Sequence, residues 1–276
     1  MNYDRVLIEA DELLTKIHDP NIRIYDATIM FYMDMSPEEI AKMPTAHEQY
    51  LAGHIPGAVF FPHSKLSDLN SPYDYMLAPD EQLVEEIGKI GIANDSEVIV
   101  YTTGVFACAT RAWWLLRYAG VENIRVLNGG FAAWKEAGGA VETKQQAYSP
   151  VQFEGHFRPE MFASKEEVQT ALSTGSAYVE DALTQEWHDR EHIPGSICLP
   201  LTELVNEWTA FLPEDQLTAR LNSTDQGKRI ITYCGGGIAA TVNAMAYVIA
   251  GHKNVAVYDG SLFEWKGEGL PVASKE

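Results

Sequence analysis

The chain repeats itself. Gly53-His54-Ile55-Pro56-Gly57-Ala58 returns as Glu191-His192-Ile193-Pro194-Gly195-Ser196. Leu127-Asn128-Gly129-Gly130-Phe131-Ala132-Ala133-Trp134-Lys135 returns as Tyr258-Asp259-Gly260-Ser261-Leu262-Phe263-Glu264-Trp265-Lys266, in the same order and at a nearly equal offset. Two copies of one folding unit explain this most simply, so the 276 residues divide into two domains. Short β-branched runs bounded by turn residues recur in both copies, at 22–26, 98–101 and 124–127 and again at 177–180, 229–233 and 255–258, and read as buried strands. Helix-length segments lie between them at 79–90, 107–119, 164–172 and 239–250, several closed by a glycine (Gly91, Gly120, Gly251). Alternating strands and helices predict an α/β fold, each half a parallel sheet flanked by helices. The expected division is a first domain at 1–141, a connector without clean periodicity at 142–160, and a second domain at 161–276.

Charge and cysteine usage narrow the function classes. With 20 Lys and Arg against 39 Asp and Glu, the net charge of −19 argues against nucleic acid as a partner. No apolar run reaches the roughly 18–20 residues of a membrane helix, and Met1-Asn2-Tyr3-Asp4-Arg5 does not open a signal peptide. No membrane partner is therefore expected, and the expected compartment is the cytoplasm. Cys108, Cys198 and Cys234 are too far apart for a CxxC motif, and their number is odd, so free thiols are expected. No His/Cys/Asp cluster has ligand spacing, so neither metal nor cofactor is expected.

One segment carries chemistry. The strand at 229–233 runs straight into Cys234-Gly235-Gly236-Gly237-Ile238-Ala239, and a helical pattern follows. A cysteine at a strand's carboxyl end stands where open α/β sheets bind ligands. Three glycines remove every Cβ from the turn, permit positive φ, and let successive N–H groups converge as an anion cradle. Such donors, beside a helix N-terminus, are expected to depress the thiol from its usual value of about 8.5. The first copy reaches the same turn as Tyr101-Thr102-Thr103-Gly104-Val105, with Thr102 in place of Cys234. A catalytic domain beside a structural one is the reading. His192 has a twin in His54, which argues for a structural histidine, and Trp113, Trp114, Trp134 and Trp265 read as core or interface residues. Arg111, ahead of the tryptophan pair, is placed as a bridge between the domains.

In these segments, together with Ser71-Pro72-Tyr73-Asp74-Tyr75-Met76-Leu77 and Arg111-Ala112-Trp113-Trp114, the sequence resembles the tandem-domain rhodaneses. These are thiosulfate sulfurtransferases and 3-mercaptopyruvate sulfurtransferases, and the resemblance covers nearly the whole chain. It implies two rhodanese-like domains, the first lacking the catalytic cysteine. It also implies a cycle in which Cys234 takes a sulfane sulfur from thiosulfate or 3-mercaptopyruvate. The resulting persulfide passes its sulfur to an acceptor such as cyanide, a small thiol or a protein thiol. Gly235, Gly236, Gly237, Ile238 and Ala239 would hold thiolate and persulfide through their amides. The loop departs from the family in offering no cationic side chain, and Asp181-Ala182-Leu183 stands where many relatives have Asp-x-Arg. Arg190 and His188 are left as the candidates for contact with the donor. An alternative is a rhodanese-like module that carries sulfur without turnover or binds a partner. A phosphatase of this fold needs Cys-x5-Arg, and Ala240 occupies the arginine position.

Overall fold

The computed structural model describes residues 3–32, 35–221 and 227–275. The first half forms β1 (Leu7–Ile8), β2 (Ile22–Asp26), β3 (Val59–Phe60), β4 (Glu97–Tyr101) and β5 (Ile124–Leu127), all parallel, in the order β1-β5-β4-β2-β3. The second half contributes β6 (Phe162–Ala163), β7 (Ala177–Asp181) and β8 (Ile197–Cys198). A small antiparallel hairpin, β9 (Val205–Asn206) with β10 (Ala210–Phe211), follows, and then β11 (Arg229–Tyr233) and β12 (Val255–Tyr258). Its sheet is again parallel and five-stranded, in the order β6-β12-β11-β7-β8. The expected α/β fold of two helix-flanked parallel sheets is thus borne out. All six expected strands are found, each within a residue of its expected bounds. The strands missed, β1, β3, β6, β8, β9 and β10, have two residues each and lie at sheet edges. Two residues cannot display a period.

Helices cover both faces of the sheet; β12 (Val-Ala-Val-Tyr) is accordingly buried throughout, and β11 in all but its first residue. The halves join where the Ala107–Ala119 helix, buried along its length except at Arg117, packs on the Ala240–Ile249 helix, buried except at Val248. The Thr110 and Thr241 hydroxyls bond across this joint at 2.7 Å. One apolar cluster runs through both halves along it.

The repeated motifs do repeated structural work. In each His-Ile-Pro-Gly segment the histidine Nδ1 donates to the carbonyl four residues back, His54 to Tyr50 and His192 to His188, both at 2.7 Å. The next residue's N–H is accepted by a strand tyrosine: Ile55 by Tyr101 at 3.2 Å, Ile193 by Tyr233 at 3.1 Å. Each repeated tryptophan closes the end of its unit, Trp134 donating to Ala140 at 2.8 Å and Trp265 to Pro271 at 2.7 Å. These histidines and tryptophans are architectural, as expected. The segment at 142–160 packs over the first half: Tyr148 accepts the N–H of Ile24 at 3.0 Å and donates to Gly57 at 2.9 Å, and Phe153 is buried. Among the described residues no helix is long and apolar enough to cross a membrane.

Candidate functional site

Cys234 follows the last residue of β11, beside the carboxyl end of β7, where Tyr233 pairs with Asp181. It is 2% exposed. The loop turns back at Gly237, whose φ of +78° is left-handed, and enters the Ala240–Ile249 helix. The amides of Ala240, Gly236 and Gly237 are directed at the Cys234 sulfur and pull its thiol down. Burial outweighs them and pushes the thiol above its ordinary value, with the Asp181 charge adding to the rise. The sequence expectation is corrected in two respects. One of these amides is that of Ala240, one residue beyond the expected run, and the thiol is raised, because the enclosure that excludes water also penalises the sulfur's charge. Cys108 and Cys198, by contrast, lack such a cradle and are pushed up to about 12, mainly by burial.

Sequence reasoning missed the brace behind this loop. Ser261 Oγ accepts the N–H groups of Cys234 and Gly237, each at 3.1 Å, and donates to the Tyr258 carbonyl at 2.8 Å. Its φ is +51°, a conformation uncommon for a side-chain-bearing residue, and the first copy has Gly130 at the same place with φ +55°. A serine replacing a left-handed glycine between two copies of one motif was the readable signal. Leu262 and Phe263 donate to the carbonyls of Cys234 (3.0 Å) and Gly235 (2.9 Å). The half-exposed Phe263 ring lies against Gly235 and Gly236, so close that a Cβ on Gly236 would meet it at 3.0 Å.

The two donor-contact candidates have partners within the protein. His188 is buried, lies 2.9 Å from Asp181 Oδ2 through Nδ1, and stacks on His192 at 4.0 Å. Asp181 also accepts from Tyr233 at 3.2 Å and from the Leu183 N–H at 2.9 Å, so His188 completes the partners of a buried carboxylate. Arg190 is turned to its own helix, pairing with Glu186 at 2.5 Å and covering Trp187 at 5.0 Å. His188→Ala is expected to lower stability by about 1–3 kcal/mol through the unpartnered Asp181 carboxylate, read from the urea midpoint. An unchanged midpoint with weakened donor binding would return His188 to the donor's side. A surface hollow of about 540 Å³ lined by Glu203, Val205, Gln216 and Arg220 includes none of these groups. No cluster of metal-binding side chains occurs among the described residues.

Comparison with known proteins agrees with the two-domain fold. A profile described as Rhodanese-like domain matches residues 9–137 and 164–268. Over 279 residues the chain is 34% identical to the 3-mercaptopyruvate sulfurtransferase of Escherichia coli (strain K12), spanning 96% of each protein. It is 30% identical over 263 residues to the thiosulfate sulfurtransferase of Bos taurus, spanning 89% of this chain and 85% of that one. The crystal structure of SseA, a 3-mercaptopyruvate sulfotransferase from Escherichia coli, superposes with a TM-score of 0.81 at 34% identity, covering 92% of this chain and 98% of that one.

Proposed function

The chain belongs to the rhodanese-like family in its two-domain form and is a sulfurtransferase, and from that premise we propose that it carries sulfane sulfur from a small anionic donor to a thiol or cyanide as a persulfide on Cys234. The observation that carries this reading is the place of Cys234, at the carboxyl end of β11 in a glycine loop braced by Ser261, at a turn where the first copy has Thr102. Cys234, as thiolate, attacks the donor's terminal sulfur. A sulfur–sulfur bond forms while the donor's bond to that sulfur breaks, and the bonding pair leaves with sulfite from thiosulfate. From 3-mercaptopyruvate it leaves with the enolate of pyruvate, which then takes a proton. The acceptor attacks the outer sulfur, and the electron pair returns to Cys234. The amides of Gly236, Gly237 and Ala240 face the negative charge at each stage, first on the thiolate and then on the persulfide.

The donor follows from charge. No Lys or Arg occurs between Arg229 and Lys253, and Arg190 is held by Glu186, so a compact dianion meets amides alone in a protein of net charge −19. 3-Mercaptopyruvate, with one carboxylate removed from its sulfur, is the favoured donor over thiosulfate. Intact-mass measurement after incubation with each donor tests this. One added sulfur on Cys234 is expected at lower 3-mercaptopyruvate than thiosulfate concentrations, with pyruvate accumulating once an acceptor is supplied. Loading that stalls at one sulfur per chain with every small acceptor would favour a carrier instead. Leu183→Arg with Gly235→Arg is expected to improve thiosulfate use about tenfold or more, one charge-assisted contact's worth. Tight thiosulfate loading of the wild type with no gain in the double variant would place the donor anchor elsewhere.

A further inference from the structure

Arg111 lies on the first domain's Ala107–Ala119 helix, is 1% exposed, and reaches across the domain joint. Its guanidinium pairs with the Asp259 carboxylate, donates to the Tyr75 carbonyl at 2.6 Å, and stands 3.5 Å from the carbonyl of Gly237 in the Cys234 loop. Asp259, 7% exposed, also accepts the Leu77 N–H at 2.5 Å. Gly237 is pressed so closely on Asp259 that a Cβ would lie 2.8 Å from the carboxylate. A chain of contacts thus runs from Arg111 through Asp259 to Gly237, whose N–H shares the Ser261 hydroxyl with the N–H of Cys234, each at 3.1 Å.

The other half of the molecule supplies an internal control. There Asn128 stands where the second copy has Asp259, and it accepts the Phe211 N–H at 3.0 Å just as Asp259 accepts that of Leu77. The helix position that answers to Arg111, following Thr241 as Arg111 follows Thr110, is Val242. The fold therefore closes this joint once with neutral side chains, around the turn that bears Thr102. It uses a buried ion pair only around the turn that bears Cys234. A buried ion pair is weak support for stability, since desolvation offsets much of the attraction, so its presence on one side calls for a local reason. We propose that Arg111 is a positioning residue supplied by the first domain, which holds Asp259 and the Gly237 peptide so that the loop amides stay aimed at the Cys234 sulfur. The proposal rests on the reading of Cys234 as the sulfur-carrying residue.

Without Arg111, Asp259 becomes an unpaired buried carboxylate beside the Gly237 carbonyl, and the loop moves away from it. The experiment compares Arg111→Gln, Arg111→Lys and the double variant Arg111→Leu with Asp259→Asn in the full chain. Three readings are taken on each: thermal midpoint, the pH profile of Cys234 alkylation by iodoacetamide, and sulfur transfer. Arg111→Gln is expected to move the alkylation profile to higher pH and slow transfer about tenfold or more, as an amide leaves the sulfur. Arg111→Lys, whose compact ammonium keeps the charge but lacks the planar fork that spans Asp259 and the Tyr75 and Gly237 carbonyls, falls between it and the wild type. The double variant, built on the neutral joint of the other half, regains the thermal midpoint but keeps the shifted profile and slow transfer. If it regains all three, or if Arg111→Gln leaves the alkylation profile where it was, Arg111 is a structural joint only. Because alkylation is read without turnover, this outcome is separable from a failure of the Cys234 reading, which retained transfer in Cys234→Ser would reveal.

Discussion

Cys234→Ser is expected to lower sulfur transfer by roughly a thousandfold or more, the scale of loss when a covalent nucleophile is removed. Serine keeps the size of the side chain and the loop contacts, but its oxygen cannot hold sulfane sulfur as a persulfide. Cys108→Ala and Cys198→Ala leave most of the rate. Cys108 is fully buried, with its thiol directed at the Ile29 carbonyl 3.8 Å away. Cys198 lies among Asp181, Asp189, Glu180 and Glu203, whose charges add to burial in disfavouring its thiolate. Peptide mapping after donor treatment places the added sulfur: Cys234 alone should carry it. Sulfur recovered on Cys108 or Cys198 in the wild type, or full turnover by Cys234→Ser, removes Cys234 from the mechanism.

The repeat made most of the fold legible. His54 and His192, Trp134 and Trp265 stand in duplicated motifs because each makes the same backbone bond in each half, and a bond needed twice leaves its residue twice in the sequence. Comparison of the copies also drew attention to Cys234, since Thr102 occupies its place. What stayed hidden was long-range. Arg111 reads as a bridge between the domains, but its partner Asp259 is 148 positions away, and only the packed joint brings that guanidinium to this carboxylate. His188 and Arg190 were legible as residues near Asp181, but which way each turns depends on helix phase. The Gln185–Arg190 helix points His188 inward to Asp181 and leaves Arg190 beside Glu186. The direction of the Cys234 thiol shift was also beyond the sequence, because the amides are visible in a glycine run while the degree of enclosure is not.

Gly237→Ala is expected to be the most damaging of the three loop-glycine substitutions, a ranking that three consecutive glycines do not reveal in the sequence. Among the three, only Gly237 is left-handed, at φ +78°. An L-residue held there costs about 1–2 kcal/mol from backbone sterics alone. The site adds to this, because a Cβ would stand 2.5 Å from the Asp259 carbonyl oxygen, and backbone cannot swing aside. A Cβ on Gly235 would meet the Phe263 ring at 3.2 Å and one on Gly236 would meet it at 3.0 Å, and that ring is 59% exposed and free to rotate outward. Alanine at Gly235 or Gly236 should therefore keep transfer within a few-fold of the wild type. Gly237→Ala displaces an amide that faces the sulfur and loosens the bond to Ser261, so transfer should fall about a hundredfold, the scale reported for removal of one oxyanion donor. Rates for the three alanine variants, normalised to folded fraction by near-UV circular dichroism, decide the matter. Equal losses at all three positions would mean that the loop tolerates a shift at Gly237, and that its amides do not act as a fixed cradle.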